Sequence, residues 1–255
     1  MKSLSIITVV RNDLDGLKGT IASVEKICNE NIEHWVIDGV SNDGTVDFLK
    51  SLKYEWLSWI SEPDTSLYDA MNKGMGRVRG DYVLFLNAGD VLNDKFSWHC
   101  FLEYVGDDFS GVLLGRTIEC YKDDLYLRPG YGKEHLILSM PAHQATFYPK
   151  AFYQHEQYSM DRPVAADAHF TARAIKAVGY FFVPDVVTVF ELGGVSSSYG
   201  SLKVLKKRWS ESHKIKNRIK LAVKFLMWRL VSTRCFYRIL ALGKYTKLED
   251  INHVE

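Results

Sequence analysis

The segment DYVLFLNAGD, residues 81 to 90, joins an apolar run to a polar cluster that no hydrophobic core requires. Tyr82 to Leu86 suit a central strand covered on both faces, and Asn87 and Asp90 close the run. A carboxylate at such a place has a specific use. It cannot hold a diphosphate directly, because like charges repel, but it can do so through a divalent ion such as Mg or Mn, which takes hard oxygen ligands. The alternative device, a glycine loop whose N–H groups cradle phosphate, is missing: the first apolar run leads into VVRNDLDG, with neither G-x-G-x-x-G nor G-x-x-x-x-G-K-[ST]. Asp90, with Asn87 beside it, is therefore the candidate anchor of an ion whose octahedral set is completed by two phosphate oxygens and water.

The elements that must position this cluster are legible in the first hundred residues, where LSIITVV, HWVIDG, WLSWISE and DYVLFLN alternate with LDGLKGTIASVEKI, GTVDFLKSL and SLYDAMNKGMGRV. Strand-like runs alternating with helical patterns imply βαβ units and a mostly parallel sheet, with ligands beyond the carboxyl ends of its strands. All four ends are polar: Arg11-Asn12-Asp13, Asp38 to Gly44, Glu62-Pro63-Asp64, and Asn87 to Asp90. Any one cluster is explained by turn and cap chemistry, and Asp13 and Asp43 are assigned to capping the helices that follow. Four together on one edge favour a site. Further on, GVLLGRTIECY and FFVPDVVTVFEL read as strands and AADAHFTARAIKAVGY as a helix opened by Asp167 and ended by Gly179.

The totals set the outer limits. A chain of 255 residues, 47% hydrophobic, can bury one full core, and its formal net charge of +1 gives no sign of a nucleic-acid partner. The charge is unevenly placed: residues 201 to 255 hold 14 Lys or Arg against 4 Asp or Glu. We therefore expect one main domain over residues 1–200 and a basic helical extension over 201–255. In the extension, Ile215, Ile219, Val223, Leu226, Leu230 and Tyr237 share one stripe at about 100° per residue, with Lys216, Lys220, Lys224, Arg234 and Arg238 beside it. This is the pattern of a helix lying in a membrane interface with cations towards anionic headgroups, or of one packing its stripe on the domain. No stretch of about 18 uncharged apolar residues is present to span a bilayer. Four scattered cysteines without a C-x-x-C pair argue against zinc and disulfides and imply a reducing, cytoplasmic setting.

SIITVVRND, WVIDGVSNDGT, SEPDTSLYDAMNKGMGRVRGDYVLFLNAGD, HQATFY and AADAHF, occurring in that order, resemble the family 2 glycosyltransferases of GT-A fold, within them the bacterial colanic-acid and O-antigen type. The resemblance covers about residues 3–197. It implies a Rossmann-like α/β fold and inverting transfer of a sugar from a UDP- or GDP-sugar donor onto a growing, lipid-linked surface glycan, at the inner face of the cytoplasmic membrane. By position, Asp38 matches the carboxylate that bonds the donor base, with Thr8 and Arg11 lining the same pocket, while Asp69, Asn72 and Asn87 face the donor. Asp90 matches the metal-binding end of the family's D-x-D-type motif, with Asn87 where a carboxylate is common. His143 and Gln144 lie near the acceptor or the ion, and Asp167 takes the place of the catalytic base.

The residue types fit those roles on chemical grounds. An acceptor hydroxyl is a poor nucleophile, and a positioned carboxylate that takes its proton contributes about 100-fold to 10,000-fold. The departing nucleoside diphosphate develops negative charge that a divalent ion stabilises. The plainer reading of Asp167 is an N-cap, of His143 a hydrogen-bonded structural histidine, and of Tyr68 and Tyr131 packing in place of sugar stacking. Two other functions compete: a sugar-nucleotide pyrophosphorylase, which needs the glycine loop this chain lacks, and a nucleotide-sugar-binding protein without catalysis.

Overall fold

The computed structural model describes residues 2–29, 31–106, 108–121, 124–128, 141–161, 166–192, 205–206, 209–210, 215–230 and 246–247. They divide into two units, Met1–Thr117 with Gly130–Phe190, and Ile118–Pro129 with Glu191–Glu255.

The first unit is built on four parallel strands, β1 (Leu4–Val10), β2 (Ile32–Asp38), β3 (Leu57–Ser61) and β4 (Tyr82–Phe85), in the spatial order β4-β1-β2-β3. Every residue of β1 and β4 is buried, the polar Ser5 and Thr8 of β1 among them, as strands covered on both faces require. Three helices make the crossovers: α1 (Leu14–Glu25), α2 (Thr45–Ser51) and α3 (Leu67–Met75). Asp13 caps α1 by accepting the Gly16 N–H at 3.1 Å, and Leu17, Ile21 and Val24 turn inward at helical spacing. The cap of α2 is Gly44, not Asp43 as its sequence suggests; Asp43 instead accepts the Thr45 and Leu14 N–H groups and so ties α2 to α1. Ser66 caps α3 by accepting from Asp69 N. Gly74 lets α3 lie close on the sheet, since a Cβ there would come within 2.6 Å of Ile7 Cγ2.

The chain moves outward from β1 to β2 and β3, then returns to place β4 on the other side of β1. The carboxyl ends of β1 and β4 thus flank the point at which strand order reverses, where open α/β sheets bind ligands. Beyond β4 the pairing turns antiparallel, through β8 (Thr146–Pro149) to β6 (Val112–Tyr121). The short strand β5 (Val91–Leu92) pairs with β9 (Tyr180–Glu191). Helices α4 (Trp98–Glu103), α5 (Lys150–Tyr153) and α6 (Ala166–Val178) complete this unit. An aromatic cluster fixes α6: Phe170 stacks on Tyr158 at 4.2 Å between ring centres, and Phe85 of β4 meets Tyr158 edge-on at 5.2 Å. That contact holds the first turn of α6 against the end of β4.

In the second unit β7 (Asp124–Leu127) pairs antiparallel with Ile118 to Tyr121 and with β10 (Thr246–Lys247). Helix α7 (Ile215–Leu230) contains five cations and no acid. Of its expected stripe, four residues are exposed, Ile219 by 57%, Val223 by 47%, Leu226 by 57% and Leu230 by 81%, while the side chain of Ile215 lies outside what is described. Leu221, Phe225 and Trp228, on its other side, are partly buried. Tyr237, Arg234 and Arg238 lie outside the described residues, as does Tyr131.

Candidate functional site

The turn after β4 is held from below by one hydroxyl. Thr20, buried in α1, accepts the Gly89 N–H at 3.1 Å and lies 2.8 Å from the Asp90 carbonyl. Gly89 has φ +89°, a left-handed conformation that glycine adopts without strain, and the Asp90 N–H closes the turn on the Asn87 carbonyl at 3.0 Å. The Asp90 carboxyl is set into the fold with Gln144 hydrogen-bonded to it. Burial raises its pKa from the ordinary 3.8 to about 6, against the opposing pull of His143, Gln144 and the Asn87 main chain.

His143 opens a short 3₁₀ turn, His143–Ala145, directly before β8, and is largely covered. Its ring reaches in two directions. Nε2 lies 3.1 Å from Asn87 Nδ2, and Nδ1 lies 3.5 Å from Asp167 Oδ2. With Asn87 as the donor, Nε2 accepts, which leaves Nδ1–H facing the carboxylate; the tautomer is assigned from this network. Asp167 stands in the first turn of α6, which begins at Ala166, so it is not the N-cap. Tyr68 of α3 donates its hydroxyl to Asp167 Oδ1 at 3.3 Å. Burial alone would raise the Asp167 pKa, but bonds from His143, the Ala168 main chain and Tyr68 hold it net below the usual carboxylate value. The two carboxyls of the site are thus driven apart, Asp90 upward and Asp167 downward.

Asn87, Asp90, His143, Gln144 and Asp167 therefore meet at the switch point, and Tyr68 joins them from beneath. Tyr68 is buried and stacks on Tyr158, which leaves it no face for a sugar. Neither Tyr68's bond nor the Thr20 support carries a signal in the sequence, since each joins residues about 70 to 100 positions apart.

Four of the other expected residues are bonded to groups of the protein itself. Thr8 is buried and bonded to His34 at 2.8 Å. Asp38 is fully buried; it accepts Ser61 Oγ at 2.5 Å and the Ser41 N–H at 3.1 Å. Asp69 accepts the Thr65 N–H at 2.9 Å and lies 3.5 Å from Lys73. Asn72 uses both ends of its amide on the Tyr158 main chain, accepting at 2.8 Å and donating at 3.0 Å. Arg11 is exposed at the end of β1. A separate hollow of about 350 Å³, lined by Lys2, Asp81, Tyr82 and Lys150 among others, opens at the opposite end of β4.

The site also bears on a divalent ion. Among the described residues there is no cluster of three or more His, Cys, Asp or Glu that would enclose a metal. Asn87 Oδ1, however, is buried without a hydrogen-bond partner, three positions from the Asp90 carboxyl. An orphaned carbonyl oxygen and a carboxylate of raised pKa are hard donors that a cation would satisfy, so these residues fit an ion that takes its remaining ligands from phosphate and water.

A parallel switch-point sheet ending in a polar turn, with a second carboxylate brought up on α6, is the architecture of a GT-A transferase. Residues 5–176 match the family described as Glycosyl transferase family 2. The chain belongs to that family and is a glycosyltransferase. It is 30% identical over 216 residues to an uncharacterised glycosyltransferase of Mycobacterium tuberculosis (strain CDC 1551 / Oshkosh), covering 76% of this chain and 77% of that one. Two solved structures share the fold. Staphylococcus aureus TarS in complex with UDP-GlcNAc has a TM-score of 0.61 at 16% identity, covering 88% of this chain and 71% of that one. The mannosyltransferase PcManGT of Pyrobaculum calidifontis, in complex with GDP-Man and Mn2+, has a TM-score of 0.60 at 13% identity, covering 88% and 70%.

Proposed function

We propose that this chain is an inverting glycosyltransferase that moves a sugar from a UDP- or GDP-sugar to a hydroxyl of a lipid-linked bacterial surface glycan, of the colanic-acid or O-antigen kind. The observation that carries this reading is the His143 bridge, which ties Asp167 to Asn87 beside Asp90 and so sets a base and a diphosphate anchor at one corner. Asp167, held below the usual carboxylate range, is ionised at neutral pH. It takes the acceptor's proton as the acceptor oxygen attacks the anomeric carbon, while the bond to phosphate breaks and its electron pair leaves on the nucleoside diphosphate. His143 and Tyr68 hold the two carboxylate oxygens and aim the base. Asp90, with Asn87 Oδ1, would hold Mg or Mn, which when bound neutralises charge on the leaving group. The donors bound in the two fold neighbours, UDP-GlcNAc and GDP-Man with Mn2+, support the donor class and the ion.

The membrane assignment rests on α7. Among the described residues no helix is long and apolar enough to cross a bilayer, yet the stripe from Ile219 to Leu230 is exposed between two rows of cations. At about 100° per residue, Lys220 and Lys224 fall on one side of it, and Arg218 and Arg229 on the other. Such a helix holds the extension, residues 201–255, on the inner face of the cytoplasmic membrane, where a lipid-linked acceptor is confined. The deciding assay is sugar release from UDP- and GDP-sugars, with and without Mn2+, to water and to lipid-linked glycan. Donor binding without transfer to any acceptor would establish a binding protein instead.

A further inference from the structure

The buried face of α1 carries two hydroxyls, Thr20 and Ser23, among Leu17, Ile21 and Val24. Both are spent on the segment that follows β4. Thr20 Oγ1 accepts the Gly89 N–H at 3.1 Å and has three carbonyl oxygens within reach, Asp90 at 2.8 Å, Gly16 at 3.1 Å and Asn87 at 3.3 Å; its single proton goes to the nearest. Ser23 Oγ donates to the Thr20 carbonyl at 2.7 Å and accepts the Leu92 N–H at 3.1 Å. The other N–H groups of the turn close elsewhere, Ala88 on the Val9 carbonyl at 3.2 Å and Asp90 on the Asn87 carbonyl at 3.0 Å. Thr20 alone thus brackets the Gly89–Asp90 pair, holding the N–H of the first and the carbonyl of the second.

That bracket matters because Gly89, at φ +89°, is the softest point of the turn: a residue without Cβ has many other conformations open to it. The protein offers an ion one carboxylate, Asp90, and one amide oxygen, Asn87 Oδ1, both borne on this turn. With so few ligands, affinity depends on holding them where an octahedral ion needs them. Resting on the ion reading above, we propose that Thr20 is a positioning residue for that ion. It touches neither metal nor substrate, and sets metal affinity by fixing the main chain that carries Asp90. Ser23 anchors the chain two residues further on, at the start of its pairing with β9, and so serves the sheet and not the ion.

The test is calorimetric titration of the full-length chain with UDP and GDP, each with Mn2+ and with EDTA, alongside thermal melts of every variant. Thr20→Val keeps the shape of the side chain and removes its hydroxyl. It weakens Mn2+-dependent binding of the preferred nucleotide by about 10-fold, the low end of what a lost outer-shell partner costs, whereas Thr20→Ser stays within about twofold of wild type. In turnover, Thr20→Val raises the half-saturating Mn2+ concentration by about 10-fold and leaves kcat at saturating Mn2+ within about twofold. Ser23→Ala frees Leu92 but not the turn, and keeps wild-type affinity within about twofold. If Thr20→Val melts too early to assay, Gly89→Ala decides: it strains the same turn from its exposed side and weakens Mn2+-dependent binding likewise. The deciding variant within about twofold of wild type, or Ser23→Ala impaired as much as Thr20→Val, overturns the assignment and leaves the ion reading intact. A wild type that binds both nucleotides equally with Mn2+ and with EDTA, or binds neither, overturns the ion reading and this assignment with it.

Discussion

Asp90→Asn should make the free protein more stable while disabling it. Burial raises the Asp90 pKa from 3.8 to about 6, so above pH 6 the folded chain carries a carboxylate that is less favourable there than in the unfolded chain. Each pKa unit is about 1.4 kcal/mol, which sets an upper bound near 3 kcal/mol. The residue as a whole is partly exposed, and discounting for solvent screening leaves about 1–1.5 kcal/mol. At about 2–4 °C per kcal/mol for a chain of this size, Asp90→Asn should melt about 2–6 °C above wild type at pH 7.5. The folded state binds the extra proton between pH 3.8 and 6, so wild-type stability from this group falls as pH rises through that window. The gap between variant and wild type should therefore close by pH 4. With saturating nucleoside diphosphate and Mn2+ the order should reverse, since a ligand at 100 times its Kd adds about 2.7 kcal/mol to a protein that binds it. Scanning calorimetry at pH 4, 6 and 7.5, with and without ligand, reads all three. A variant that melts at or below wild type at pH 7.5, or a gap that persists unchanged to pH 4, would refute the reasoning.

Asp167→Asn preserves shape but not basicity, so transfer should fall by about 100-fold or more while donor affinity measured by calorimetry stays within about twofold; loss of donor binding would make Asp167 a donor ligand instead. His143→Ala removes the bond that helps hold the Asp167 pKa down, so the acid limb of the kcat/KM profile should move to higher pH, and an unmoved limb would show that His143 does not act on Asp167. His34 is fully buried, and burial lowers its pKa from 6.5 to about 3. The unfolded chain therefore binds more protons below pH 6.5, stability falls as pH drops from 6.5 towards 3, and His34→Gln should flatten that fall in melts from pH 7 to 4. The full-length protein should sediment with anionic vesicles at low salt and be released as salt screens α7, whereas equal binding to neutral vesicles, or none, would exclude the interfacial helix.

How far the sequence revealed this site depended on the range of the interactions involved. Strand runs such as LSIITVV and YVLFL, and the polar residues that end them, are local patterns, and a parallel sheet brings such ends to one edge whatever the details of packing. Asp90 was legible for that reason. Which carboxylates at that edge stay open to a ligand is decided instead by contacts across the sheet. Asp38 closes on Ser61, 23 residues on, whereas Asp64, at the next strand end in the same pattern, stays open beside Gly39. No periodicity separates these two aspartates; only the register of β2 against β3 does. The same holds for Asn72, whose amide fits the Tyr158 main chain 86 residues later, and for the antiparallel strands beyond β4, which set His143 between Asn87 and Asp167. Gly39 is the exception that links the two scales. Its lack of a side chain is visible in the sequence, and what it makes room for becomes visible only when β1 and β3 deliver Arg11 and Asp64 to either side of it.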